Sequence, residues 1–153
     1  MSCQCPGSQM MDFSPKQTAQ AGTASVPSQL RHWPVQLHLI NPQAPYYQGK
    51  DVVLAADCCA YTYGNFHNDF MKDKSIAIAC PKLDSQQDVY IAKIIEWIDV
   101  AKINSLTVTI MQVPCCRGLL QTAQIALSRA ERKIPVRYAV IGIQGEVIEE
   151  NWL

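Results

Sequence analysis

Val52-Val53-Leu54-Ala55-Ala56-Asp57-Cys58-Cys59 is the stretch on which the reading of this chain turns. Its apolar residues run on without alternating between a wet and a dry side, as a strand covered on both faces requires. Strands of that kind belong to parallel sheets flanked by helices, and this one stops at an acid followed by two thiols. Outward from it the pattern recurs. Ile76-Ala77-Ile78-Ala79 is another buried run, 106–113 is rich in β-branched residues, and 138–143 reads as the last long strand before Gly145 turns the chain into a short one over 146–149. Upstream, Val35-Gln36-Leu37-His38-Leu39-Ile40 alternates with period two and reads as a strand ending at Asn41-Pro42. Helical patterns lie between. A short helix is expected over 65–71. A longer one, capped by Asp84 or Ser85, carries Ile91, Ile94, Ile95 and Ile98 on one stripe, and a third over 118–131 is closed by Pro135. The expected fold is α/β: a doubly wound, mostly parallel sheet of about five strands with helices on both faces.

The remaining composition fits one such domain. The chain has 153 residues and its charges balance at 13 − 13 = 0, so no basic footprint exists for nucleic acid or anionic lipid. With 48% hydrophobic residues there is material for a core, yet no run approaches the ~18–20 residues of a membrane-spanning helix. Met1-Ser2-Cys3-Gln4-Cys5-Pro6-Gly7 lacks the basic start and apolar stretch of a secretory signal, so a cytoplasmic location is expected. Small and polar residues dominate up to position 29, which separates a flexible cysteine-bearing arm (1–29) from an α/β body (30–153).

Seven cysteines are many for a chain in a reducing compartment, where they indicate metal or redox chemistry rather than disulfides. Each cysteine of the body follows a buried strand: Cys58 and Cys59, then Cys80, then Cys115 and Cys116. In a parallel sheet all those strand ends share one edge, where open α/β sheets bind their ligands. The expectation is therefore one crevice that gathers thiols distant in sequence, with Cys3 and Cys5 able to reach it on the arm. A helix N-terminus after Cys116, together with Arg117 and Lys82, is expected to favour thiolate. Soft sulfur ligands suit an iron–sulfur cluster or zinc. Among the cysteines only Cys3-x-Cys5 approaches the close pairing of zinc knuckles, and a wide crevice better fits a [4Fe–4S] cluster, although the spacing of bacterial ferredoxins is absent.

Several strings extend this reading: Cys5-Pro6-Gly7-Ser8, Gln29-Leu30-Arg31-His32-Trp33-Pro34, Ala55-Ala56-Asp57-Cys58, Tyr63-Gly64-Asn65-Phe66-His67, Cys80-Pro81-Lys82-Leu83-Asp84 and Val113-Pro114-Cys115-Cys116. In these the body resembles the C-terminal domain of the ferredoxin-like, 4Fe–4S-binding oxidoreductase family of anaerobic bacteria. The N-terminal pair of ferredoxin-type clusters in longer relatives is missing, and Arg117 stands where that family tends to have glycine. The resemblance implies Cys58, Cys80, Cys115 and Cys116 as cluster ligands, with Cys5 and Cys3 as contenders, and Cys59 as packing. It implies an electron-transfer protein or small redox subunit whose partner is a ferredoxin or ferredoxin-type subunit.

Other polar residues have smaller parts. The 63–69 stretch is expected to line the thiol crevice, with His67 as a proton donor, a ligand or a hydrogen-bonded helix residue. His38 reads as structural, His32 and Trp33 as a cover or as packing, and Asp57 as a cap bonding backbone N–H groups. No glycine-rich phosphate loop is present. Two other functions remain open. One is a zinc-stabilised interaction module. The other is an enzyme in which Cys115 or Cys116 attacks substrate with His67 as base.

Overall fold

The computed structural model describes residues 25–153. Cys3 and Cys5, and the expected arm up to residue 24, lie outside the described residues. Along the chain follow β1 (Asp51–Ala56), α1 (Cys59–Thr62), β2 (Ser75–Ala79), α2 (Gln87–Asp99), β3 (Ser105–Met111), α3 (Arg117–Arg129), β4 (Val136–Ile141) and β5 (Val147–Trp152). One sheet contains all the strands in the order β2-β1-β3-β4-β5. The first four run parallel, and β5 returns antiparallel to β4.

β1 is buried from Val52 to Ala56, as its unbroken apolar run requires, with Val53 paired to Ile76 on one side and Thr107 on the other. The chain leaves β1 toward one side and crosses back over it to β3, then on to β4. Right-handed crossovers in opposite directions put α2 and α3 on one face and α1 on the other. α2 buries Tyr90, Ile91, Ile94, Trp97 and Ile98, so the expected isoleucine stripe is widened by two aromatics while Ile95 is only half-buried. α3 buries the small Thr122, Ala123 and Ala126 beside Leu119, which lets it lie close against α2 and β3. Gly145 closes the β4–β5 hairpin at φ +93°, and a Cβ there would come within 2.7 Å of the Thr62 carbonyl oxygen. Only glycine lets that turn press onto α1.

Three expectations change. The 35–40 segment is not a strand: only Gln36 bridges to Ile78 at the edge of β2, with Leu37 N–H donating to the Ile78 oxygen at 2.9 Å. The chain then turns, Ile40 N–H donating back to the Gln36 carbonyl at 3.0 Å. Leu37 and Ile40 are buried three residues apart while Leu39 is 70% exposed, so the spacing is that of a turn. The freed carbonyls of Leu37, His38 and Ile40 all accept from Lys93 Nζ, at 2.9, 2.7 and 2.9 Å. Neither Asp84 nor Ser85 caps α2; its N-cap is Gln86, left-handed at φ 58° and without a side-chain cap bond. β3 stops at Met111, and β5 extends to Trp152 as an edge strand whose exposed Glu149 and Glu150 discourage further pairing.

Candidate functional site: a thiol rim at the strand ends

β1 and β3 are neighbours, but their onward connections leave in opposite directions, to β2 and to β4. The crevice outside their carboxyl ends is the topological switch point, where open α/β sheets bind ligands. Asp57, Cys58 and Cys59 leave β1 there. After β3 the turn Pro114–Cys116 delivers Cys115 and Cys116 to the start of α3, and β2, on the other flank of β1, ends at Cys80. Asp57 N–H donates to the Ala79 carbonyl at 3.2 Å, which ties the first and second of these ends together. The third is joined by close packing: a Cβ at Gly118 would stand 3.1 Å from Pro81 Cβ, so the Cys80 loop leans directly on the first turn of α3.

Asp84 shapes the Cys80 loop. Its carboxylate accepts the Cys80 N–H at 2.8 Å and the Tyr90 hydroxyl, while its own N–H donates to the Cys80 carbonyl at 2.9 Å. This clamp, which replaces the expected helix cap, was visible only as an acid four residues after a Cys-Pro pair. The described cysteines are all unpaired thiols. Cys58 is exposed, Cys80 and Cys115 are half-buried, and Cys59 and Cys116 are buried.

The thiols sense one another. Burial raises the pKa of Cys58, and the neighbouring charges of Cys80, Asp57 and Cys115 raise it further. Burial likewise pushes Cys116 up to about 11; a hydrogen bond from the Met111 backbone opposes this, and Cys115 and Cys58 add to it. Cys59 is driven up to about 12, first by burial, with the Thr109 hydroxyl facing it. For Cys116 this direction corrects the expectation of a ready thiolate. Desolvation and crowding outweigh the helix terminus at Cys58 and Cys116, and neither Lys82 nor Arg117 is among the charges acting on them. Arg117 instead lies along a groove with Glu149 and acts on Tyr138. Among the described residues, no three His, Cys, Asp or Glu side chains are drawn together tightly enough to hold a single metal ion.

Other sequence-based candidates go elsewhere. His67 Nδ1 accepts the Gln29 N–H at 3.0 Å, which fits its reading as a hydrogen-bonded helix residue. His38 Nε2 donates to the Ser85 carbonyl at 2.8 Å, a structural role despite the loss of its strand. His32 accepts the Ile76 N–H at 3.0 Å and stacks on Tyr46, while Trp33 is 75% exposed. The 63–69 stretch is divided: Tyr63 donates to Asp69 at 2.5 Å in a groove shared with Arg137 and Glu150, while Phe66 and His67 line a cleft with Asp57. Asp57 does not cap the loop as expected. Its Oδ1 is buried and has no hydrogen-bond partner among the described residues. Burial raises its pKa, Asp84 adds to that, and the Gln36 side chain opposes it.

A parallel sheet read at its switch point defines a class before it defines a reaction. The chain belongs to the Rossmann-like domain family, whose model matches residues 44–153. A relative in Archaeoglobus fulgidus, described only as an uncharacterized protein, is 27% identical over 119 residues, which cover 78% of this chain and 83% of that one. No solved structure matches. In dinucleotide-binding members of such folds, the first strand-to-helix turn is rich in glycine so that backbone can approach a pyrophosphate. Here the turn is Asp57-Cys58-Cys59, and the first glycine after β1 is Gly64.

Proposed function

We propose that this chain is an iron–sulfur protein, holding a [4Fe–4S] cluster at the thiol rim and serving as an electron-transfer protein or small redox subunit. The observation that carries the reading is the convergence of Cys58, Cys80, Cys115 and Cys116, from three separate strand ends, on the switch point of the sheet. The donor set fits the group: soft sulfur ligands on short, well-anchored loops. A tetrahedral zinc with Zn–S near 2.3 Å needs sulfurs ~3.8 Å apart. Among the described residues no three His, Cys, Asp or Glu side chains meet that need.

Bound there, the cluster would supply one-electron transfer. The chain's own residues would fix its place: Asp84 clamps the Cys80 loop, Pro81 packs on Gly118, and the buried Cys116 sets the inner wall. Cys58 and Cys116, which resist ionising in the bare chain, would release protons as the cationic core replaces them. The likeness to the C-terminal domain of ferredoxin-like oxidoreductases supports the same reading. It also names the partner class, a ferredoxin or ferredoxin-type subunit. Unpaired cysteines suit a reducing cytoplasm, and among the described residues no helix is long and apolar enough to cross a membrane.

Anaerobic reconstitution of the full chain with iron and sulfide tests this. A brown protein with about four irons per chain is the expected product. Cys58→Ser, Cys80→Ser and Cys115→Ser should each lose most of the colour. A colourless, zinc-loaded chain from iron-replete anaerobic expression would overturn the proposal.

A further inference from the structure

The sheet face that carries α3 runs out of cover on its β5 side. The chain crosses from β3 to β4 through α3 but then returns by a hairpin, so no helix joins β4 to β5. Two adjoining hollows of about 540 and 480 Å3 lie there, both lined by Ile110, Arg117, Val140 and Glu149. They form one trough. Ile110, Val140 and Glu149 are register partners across β3, β4 and β5 and make one row of its floor. Val140 and Tyr138 on the floor and Leu120 on the α3 wall are only half-buried, and Ile148 at the β5 edge is 44% exposed. The apolar lining carries one exposed charge of each sign. Arg117 forms no side-chain hydrogen bond or ion pair among the described residues, and Glu149 accepts only the Tyr138 hydroxyl.

A partner charged with one sign would set a like charge against Arg117 or Glu149. A second copy of the chain presents the same two residues in reverse, because a two-fold axis brings residue i of one copy to residue j of the other, and j to i. Glu149 and Glu150 discourage pairing along the β5 edge, which leaves this face for association. We infer that the trough is the contact face of a symmetric dimer, with Arg117 of each subunit against Glu149 of the partner subunit. The half-buried apolar residues supply the affinity, and the two reciprocal ion pairs fix the register. The inference goes beyond the electron-transfer reading and stands without it, because no thiol lines the trough. Val113 and Pro114, which lead into Cys115, do line one end, so the contact adjoins the rim.

Sedimentation equilibrium of the full-length chain, kept reduced and measured over a range of concentrations, tests it. The mass should rise from one chain to two and stop there, because a patch that meets itself is used up. Arg117→Glu and Glu149→Arg should each weaken the dimer by about ten-fold or more, since like charges then meet twice. The double variant, with the signs exchanged, should regain it. Ile148→Lys should also weaken it, with the circular dichroism spectrum of the parent chain. The inference fails if the parent stays a single chain up to about 1 mM, which would leave the trough to a different protein. It fails equally if larger assemblies form, if folded single variants dimerise as well as the parent, or if the double variant does not recover.

Discussion

Cys58 and Cys59 are identical in type and adjacent in sequence, yet they sit in opposite surroundings. Cys58 is exposed on the rim and feels the charges of Cys80 and Cys115. Cys59 begins α1, is fully buried, and faces Thr109, whose hydroxyl has no oxygen or nitrogen partner among the described residues. The direction of each side chain follows from the backbone, because Cys58 is the N-cap and Cys59 the first residue of α1, and successive helical positions are turned by about 100°. Cys59→Ala should keep its iron while losing about 1 kcal/mol of stability, a small truncation in a packed core. Cys58→Ser should do the reverse, keeping the melting temperature of the metal-free chain and losing iron. Iron content and thermal melts of the two variants, side by side, check both halves. The contrast was legible in the sequence for this pair, but the orphaned acceptor on Asp57 was not, since an acid before a cysteine gives no sign of which donors will surround it.

Individual elements are held by polar groups that their own sequences do not announce. Lys93 on α2 donates to three carbonyls in the turn that replaces the expected 35–40 strand, joining segments more than fifty residues apart. Lys93→Met should cost about 2–3 kcal/mol, because hydrogen bonds from a charged donor are lost and carbonyls are left bare; urea unfolding of the variant measures it. At the other end of α2, Asp99 accepts the N–H groups of Arg132 at 2.9 Å and Glu131 at 3.0 Å, which anchors the connection into β4. Those two hydrogen bonds hold the Asp99 carboxyl below the ordinary carboxylate range. A carboxyl depressed in the folded state contributes fully above its unfolded pKa and loses that contribution as pH falls through the folded value. Asp99→Asn should therefore melt lower than the parent chain at neutral pH, and the gap should close on acidification; melts from neutral pH down into the acid range show it. No hydrophobic period encodes either contact.

At the scale of the whole molecule, the core and the rim are separable. Buried residues from Leu37 to Ile141 form one continuous cluster across both faces of the sheet, built chiefly of aliphatic and aromatic side chains. A chain with such a core does not need a metal to fold, unlike small modules that are unfolded without one. Removal of the cluster by chelation and oxidation should leave the far-ultraviolet circular dichroism spectrum unchanged and lower the melting temperature only by the binding energy lost. Wholesale unfolding on removal would instead identify a metal-nucleated module and favour the zinc-stabilised alternative.

Local pattern determined a good deal here: the buried runs of β1 to β3, the stripe on α2, and the placing of thiols just beyond strand ends, because burial on both faces and a period near 3.6 are written in neighbouring residues. It misread 35–40, where Val35, Leu37 and Leu39 satisfied an alternating pattern but the chain turns, burying Leu37 with Ile40 and exposing Leu39. Tertiary structure alone decided the order β2-β1-β3-β4-β5, and with it which cysteines became neighbours. It also decided that Cys58 and Cys116 are pushed up rather than down, since the burial of each, and after it the nearness of other thiols, depends on what packs around them. Strand order and burial are products of pairing between distant segments, and no window of local sequence contains both partners.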